Sequence, residues 1–212
     1  MRRKLVAGNW KMHTTRASAD ALVRAIAATP VDGADVAVFP PYVYLAELIA
    51  QYRSGAVAFG AQDVSEHAQG AFTGEVAAGM LRDIGATHVL VGHSERRQYH
   101  GESSARVAAK FAQAQAVGLI PVLCVGETLD QRDAGATEAV VGEQLDAVVK
   151  HSGIAALATA VVALDAGHIV RYANQAAENL LGTGARSLIG QRFPALFTDN
   201  AALEVMLAEA LG

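Results

Sequence analysis

Residues 88–97 of the chain are His-Val-Leu-Val-Gly-His-Ser-Glu-Arg-Arg, a short apolar run that leads through a glycine into a polar segment. An apolar run of this length is typical of a parallel strand that is buried on both faces. Similar runs recur at intervals of roughly 30 residues, which is the length of one βαβ unit. They occupy residues 4–7, 35–39, 57–60, 88–91, 119–125 and 160–164. The sequence therefore predicts six parallel strands.

Helical patterns separate these runs. In residues 17–28, for example, Leu22, Ala25 and Ile26 fall on one face of a helix. The other helical segments are residues 42–52, 75–84, 103–117 and 137–149. Strict alternation of strands and helices predicts an α/β domain whose parallel sheet is covered by helices. The periodicity alone leaves open whether that sheet is doubly wound or closed as a barrel.

The alternation ends after residue 164. The segment Asp165-Ala166-Gly167-His168 is a turn signal between two β-like runs, which predicts an antiparallel hairpin. Beyond it, Asn174 is a candidate N-cap of a short helix that ends before Gly182, and a last helix is predicted at about residues 200–211. The C-terminal part is therefore expected to have a different, α+β organisation.

Composition and charge exclude several classes of protein. The chain has 212 residues, of which 52% are hydrophobic and 18% are charged, as in a globular protein rather than a disordered one. This length fits one large domain or a domain and a half. The net charge of -4 provides no basic surface for a phosphate backbone, so nucleic acid is not an expected partner.

The sequence is expected to be that of a cytoplasmic protein. The basic start, Met1-Arg2-Arg3-Lys4, precedes an apolar run that is much shorter than that of a signal peptide. No stretch approaches the ~18 apolar residues of a membrane span. The single cysteine, Cys124, cannot form an internal disulfide and is interpreted as a core residue.

Asn9 and Lys11 follow the first predicted strand directly. The carboxyl ends of parallel strands are the usual ligand-binding edge of α/β folds. Lys11 could hold a phosphate or stabilise an enolate oxygen, and Asn9 could donate a hydrogen bond to the same oxygen. The alternative is that Lys11 is an ordinary solvated lysine.

His93 and Glu95 follow the fourth predicted strand and precede a helical stretch. The positive end of a helix would lower the pKa of His93, so that a neutral imidazole could polarise a carbonyl. The alternative is a purely structural histidine. Glu95 could pair with Lys11 and fix its direction, or it could be neutralised by the adjacent Arg96 or Arg97.

Together these segments resemble the triose-phosphate isomerase family over roughly residues 1 to 150. Six stretches occur in the order and at the spacing of that family. They are Gly8-Asn9-Trp10-Lys11-Met12, Phe39-Pro40-Pro41, Gly60-Ala61-Gln62-Asp63-Val64-Ser65, Gly70-Ala71-Phe72-Thr73-Gly74-Glu75, residues 91–97, and Pro121-Val122-Leu123-Cys124-Val125-Gly126-Glu127-Thr128.

The resemblance implies an eight-stranded barrel and an isomerase of glycolysis and gluconeogenesis that interconverts dihydroxyacetone phosphate and glyceraldehyde 3-phosphate, with no cofactor and no metal. Asn9 and Lys11 match substrate-binding residues of the family, His93 matches its electrophile, and Glu95 matches the carboxylate that steadies the lysine. Thr73 matches the residue that reaches the partner's active site in a homodimer.

The resemblance weakens at the sixth strand. The family has a glutamate base there, followed by a mobile lid and by phosphate-binding loops after strands seven and eight. In this chain Asp165 falls at the position of the glutamate, but its more direct interpretation is a turn residue. The lid sequence and the last two strands are not found in the chain. We therefore expect an incomplete barrel of about six of the eight parallel strands and an impaired isomerase activity.

Residues 158–212 resemble the opening of a PAS sensor domain, in particular that of nitrogen-regulation sensor kinases. The similar stretches are residues 161–165, 169–178 and 180–182. This predicts a partial barrel over residues 1–157 and a partial PAS-like segment over 158–212, as in a chimera. Two alternatives to the isomerase follow from it: a recombined chain without catalysis, or a sensory or protein-binding module.

Overall fold

A computed structural model describes residues 4–29, 33–152, 162–164, 170–173 and 190. In the first two of these ranges each strand is followed by one or two helices. The strands are β1 (Lys4–Asn9), β2 (Ala34–Phe39), β3 (Val57–Ala61), β4 (His88–Val91) and β5 (Ile120–Leu123). The helices are α1 (Arg16–Ala27), α2 (Tyr42–Tyr52), α3 (Ala78–Asp83), α4 (Ser94–His100), α5 (Ser104–Ala116), α6 (Leu129–Asp133) and α7 (Thr137–Ser152).

The five strands β1 to β5 form one parallel sheet in sequential order, β1-β2-β3-β4-β5. A doubly wound sheet reverses its strand order at a switch point, whereas in a barrel each new strand is added beside the preceding one. The sequential order therefore identifies a curled half-barrel. This answers the question that the sequence periodicity left open.

The prediction of a sixth parallel strand is wrong for the described residues. There, β6 (Val162–Leu164) pairs antiparallel with β7 (Val170–Ala173) in a separate sheet of two strands. The predicted hairpin is thus confirmed. An apolar run does not specify the direction of its partner. The run at Val170–Ala173 is close in sequence, so pairing with it costs little loop-closure entropy.

Several predictions for the C-terminal part fall outside the described residues. They concern Asp165, the helices expected near residues 174–181 and 200–211, and the domain boundary between residues 157 and 158. The resemblance to a PAS domain likewise remains a prediction.

Apolar residues cover both faces of the parallel sheet. On the face toward the helices, residues such as Val38, Phe59 and Val89 are buried in the main core. On the other face, which is the interior of the half-barrel, Phe39 and Leu90 form a smaller cluster. Burial on both faces explains why the strands are continuous apolar runs rather than alternating ones.

Two helices, α4 and α6, had no predicted bounds, although a helical stretch was predicted after His93 and α4 confirms it. Neither contains a buried residue, so neither leaves an apolar periodicity in the sequence. Helix α4 begins directly after His93 and is capped at its C-terminus by Gly101, whose φ of 63° suits a glycine. None of the helices in the described ranges has the length and hydropathy needed to cross a membrane.

Candidate active site

The carboxyl ends of β1 and β4 place the candidate residues at one edge of the sheet. Strand β1 ends at Asn9, and the N–H of Trp10 still donates to the carbonyl of Phe39 at 3.1 Å, so Lys11 follows immediately after the paired segment. Strand β4 ends at Val91, two residues before His93. Because the strands are parallel, these ends lie on the same side of the half-barrel.

The backbone of Lys11 has an unusual conformation that its neighbours hold in place. Its φ of 51° lies in the left-handed region, which is uncommon for a residue other than glycine. The N–H of Lys11 donates to Oδ1 of Asn9 at 2.9 Å, and Nε2 of Gln62 donates to the Lys11 carbonyl at 2.7 Å. Gln62 also donates to the carbonyl of Phe39 at 2.8 Å. Backbone strain of this kind tends to occur at functional sites.

Glu95 lies between the side chains of Lys11 and His93. Its Oε1 is 3.0 Å from Nζ of Lys11, and its Oε2 is 3.4 Å from Nδ1 of His93. The ammonium and the imidazole are therefore held near each other by one carboxylate. The Lys11 side chain is 33% exposed, so it is partly withdrawn from solvent but still accessible to a ligand.

The two arginines that follow Glu95 have other partners. Nε of Arg96 is 2.9 Å from Oδ2 of Asp63, and Nε of Arg97 donates to the carbonyl of Gly92 at 2.9 Å. Of the two alternatives for Glu95, the structure shows the pairing with the lysine and not the neutralisation by an arginine.

The local geometry fixes the tautomer of His93. As the N-cap of α4, its Nδ1 accepts from the N–H of Glu95 at 3.4 Å, so in the neutral ring Nε2 carries the proton. Burial lowers the pKa of His93 below its usual value of 6.5, the nearby Glu95 opposes this shift, and Lys11 adds to it. The contact between Nδ1 and the Glu95 carboxylate would be an ion pair only for a protonated ring, which burial disfavours. His93 is therefore a neutral hydrogen-bond donor.

This assignment predicts the titration of His93. Its imidazole should titrate below pH 6.5 and be the Nε2–H tautomer at pH 7, as measured by ¹⁵N NMR. In the Glu95→Gln variant the pKa should fall further, because the carboxylate that favours the charged ring is removed. The pKa of His93 is lower in the folded chain than in the unfolded chain, so the unfolded chain takes up the proton at a higher pH. The free energy of unfolding should therefore decrease as the pH falls below 6.5. A midpoint at or above 6.5 would contradict the assignment.

Thr73 is exposed in the loop between β3 and α3. It is not among the residues joined by the hydrogen bonds and ion pairs of Lys11, His93 and Glu95 in the described part of the chain. The loop is ordered near it by Phe72, whose ring stacks on that of His67 with a centroid distance of 3.7 Å.

Cys124 lies on the inner face of the half-barrel with Phe39 and Leu90. Burial raises the pKa of its thiol to about 12, so the reactive thiolate is suppressed. Cys124 is half-buried and packs against this cluster, which supports a packing role rather than a reactive one.

The fold and the site together define a class of protein: half of a parallel βα barrel with a cation, a neutral histidine and a carboxylate at the ligand-binding edge. The sequence model of one family, Triosephosphate isomerase, matches residues 4–166. The chain belongs to the triosephosphate isomerase family. The match agrees with the resemblance found in residues 1 to 150 and extends it to residue 166.

Individual relatives give the same result. The triosephosphate isomerase of Stenotrophomonas maltophilia (strain K279a) is 57% identical over 166 residues, which are 78% of this chain and 66% of the relative. That of Xanthomonas campestris pv. campestris (strain 8004) is 58% identical over the same shares of both chains. The chain thus spans 66% of the length of these curated relatives.

Proposed function

We propose that this half-barrel carries the lysine and histidine part of a triosephosphate isomerase active site. The reaction would be the interconversion of dihydroxyacetone phosphate and glyceraldehyde 3-phosphate through an enediolate. The observation that carries the proposal is the arrangement of Lys11 and His93 on the two oxygens of Glu95. Such a pair offers a fixed positive charge and a neutral donor to one developing oxyanion.

Each side chain has a distinct role in this proposal. Lys11 provides positive charge for the phosphate and the enediolate, and Glu95 keeps its ammonium in place. Because Oδ1 of Asn9 accepts from the backbone of Lys11, its Nδ2 remains as a donor toward the substrate. The proton on Nε2 of His93 polarises the substrate carbonyl.

Proton abstraction needs a further group. Glu95 is engaged with Lys11, so it is a poor base. The sequence offers Asp165 at the position of the family's glutamate, one methylene shorter. We therefore propose that the 212-residue chain binds the phosphorylated triose and isomerises it poorly.

The test is binding of dihydroxyacetone phosphate, measured by isothermal titration calorimetry. Lys11→Met should weaken binding at least about tenfold, because a hydrogen bond to a charged group contributes roughly 1.5–3 kcal/mol. The matched control is Lys150→Met, which removes an exposed lysine at the far end of α7 and should leave the affinity unchanged. No binding by the wild-type chain, or equal affinities for both variants, would refute the proposal.

We also propose a homodimer in which Thr73 contacts the partner. Large apolar side chains are exposed in and near the loop that carries it, including Phe72 at 43%, Met80 at 59% and Met12 at 94%. Exposed large apolar side chains that adjoin one another are typical of an interface. Analytical ultracentrifugation should show a dimer for the wild type and a shift toward monomer for Thr73→Arg. A monomeric wild-type chain would contradict the proposal.

A further inference from the structure

Four charged side chains next to the candidate site in sequence or in space form a buried charge cluster: Asp63, Arg96, Glu102 and Lys110. Nζ of Lys110 is 2.8 Å from both oxygens of Asp63 and 2.5 Å from Oε1 of Glu102. Nε of Arg96 is 2.9 Å from Oδ2 of Asp63 and 2.5 Å from the same Glu102 oxygen. Two cations thus share two carboxylates, and Asp63, Glu102 and Lys110 are each less than a tenth exposed.

The cluster is connected to Lys11 through two pairs of neighbouring residues. Gln62, which holds the carbonyl of Lys11, is adjacent to Asp63. Glu95, which holds the ammonium of Lys11, is adjacent to Arg96. The bond between Asp63 and Arg96 therefore joins the segment that binds the Lys11 backbone carbonyl to the segment that binds the Lys11 ammonium.

Each segment also has contacts of its own: Lys110 holds Asp63, and Glu102 holds Arg96. The bond between Asp63 and Arg96 differs from these because it links the two segments directly. Helix α4, which follows His93 and includes Glu95 and Arg96, contains no buried residue, so packing alone does not fix its position. Arg96 instead connects it to Asp63, at the start of the loop between β3 and α3. By contrast, the bond between Lys110 and Glu102 joins α5 to the turn before it and involves neither segment.

We propose that Asp63 is a positioning residue for Lys11, because its carboxylate holds Arg96 and so keeps Gln62 and Glu95 at a fixed separation. Asp63 contacts no substrate in this proposal. It acts through the hydrogen bond of Gln62 to the strained Lys11 backbone and through the ion pair of Glu95 with the Lys11 ammonium. Its consequence for ligand binding rests on the function proposed above, whereas its effect on Lys11 does not.

The experiment compares Asp63→Asn, which keeps the shape of the side chain and removes its charge, with Glu66→Gln. Glu66 is a matched control because it lies in the same loop and pairs with Arg106 of α5 at 2.7 Å, but not with α4. Two signals of the full chain are measured by NMR: hydrogen exchange of the Lys11 amide and the side-chain amide resonances of Gln62. Affinity for dihydroxyacetone phosphate is measured alongside.

In Asp63→Asn we expect the Lys11 amide to exchange about tenfold faster, on the scale of a lost charged hydrogen bond, and the Gln62 resonances to shift. Arg96→Gln should produce the same changes from the other side of the bond, and Glu66→Gln should produce neither. Unchanged signals in a folded Asp63→Asn chain would overturn the proposal. Equal changes in Glu66→Gln would also overturn it, because they would indicate general loosening of the loop.

The two proposals fail in different ways. If the wild-type chain does not bind the phosphorylated triose, the proposed function fails, while the NMR signals still decide the role of Asp63. If the wild type binds the ligand and Asp63→Asn leaves the Lys11 and Gln62 signals unchanged, the positioning role alone is refuted.

Discussion

A 212-residue chain with this sequence should isomerise dihydroxyacetone phosphate at least ~10,000-fold more slowly than a full-length member of its family. Two losses multiply in this expectation. A general base that is too short or missing lowers the reaction rate about 100-fold, on the scale of general acid–base catalysis. Without the family's lid and phosphate loops, the enediolate would be exposed to water and fewer groups would bind the phosphate. Together these changes should lower the rate about 100-fold or more.

The measurement is a coupled isomerase assay on protein from a host that lacks its own isomerase. The wild-type chain and Lys11→Ala are compared with a full-length relative. Turnover near that of the relative, abolished by Lys11→Ala, would contradict the expectation. It would show that Asp165 or another carboxylate acts as an effective base.

Lys110→Met should reduce the free energy of unfolding by about 3–5 kcal/mol, because it leaves buried carboxylates without one of their cations. Lys110 is 3% exposed and contacts both Asp63 and Glu102. Methionine has a similar length, so the change removes the charge while creating little cavity.

Lys150→Met is again the matched control. Lys150 is exposed and lies 3.8 Å from Asp146 on the same helix, and such a pair contributes about 0.5 kcal/mol or less. Urea unfolding, monitored by circular dichroism, measures the free energy of unfolding of both variants. A loss for Lys110→Met within about 1 kcal/mol of the control would mean that the cluster is far less important than its burial indicates.

Much of the half-barrel could be predicted from the sequence. Strands buried on both faces leave continuous apolar runs, and the predicted bounds of β4 (His88–Val91) and α2 (Tyr42–Tyr52) agree with the structure. The prediction of a sixth parallel strand was wrong because an apolar run does not specify the direction of its partner, whereas the turn signal at residues 165–168 correctly indicated an antiparallel one. Helix α4 left no periodicity because it buries no residue.

The site residues at the ends of strands could be predicted from the sequence. The contacts that depend on how the loops fold could not. Lys11 and His93 each follow an apolar run, and parallel strands bring such ends together. Gln62 and Asp63 lie in a recognised stretch of sequence, but nothing there indicates what they bind. Asp63 and Lys110 are 47 residues apart in sequence, so only the folded chain shows that they form an ion pair.

The central claim is that Asn9, Lys11 and His93 form one binding site for a phosphorylated triose. The most direct test is a structure of the chain crystallised with dihydroxyacetone phosphate. We predict the ligand at the carboxyl ends of β1 and β4, within hydrogen-bond distance of Nζ of Lys11 and Nε2 of His93. A ligand bound elsewhere, for example in the groove between α1 and α2 that includes Arg16 and Glu47, would contradict the claim.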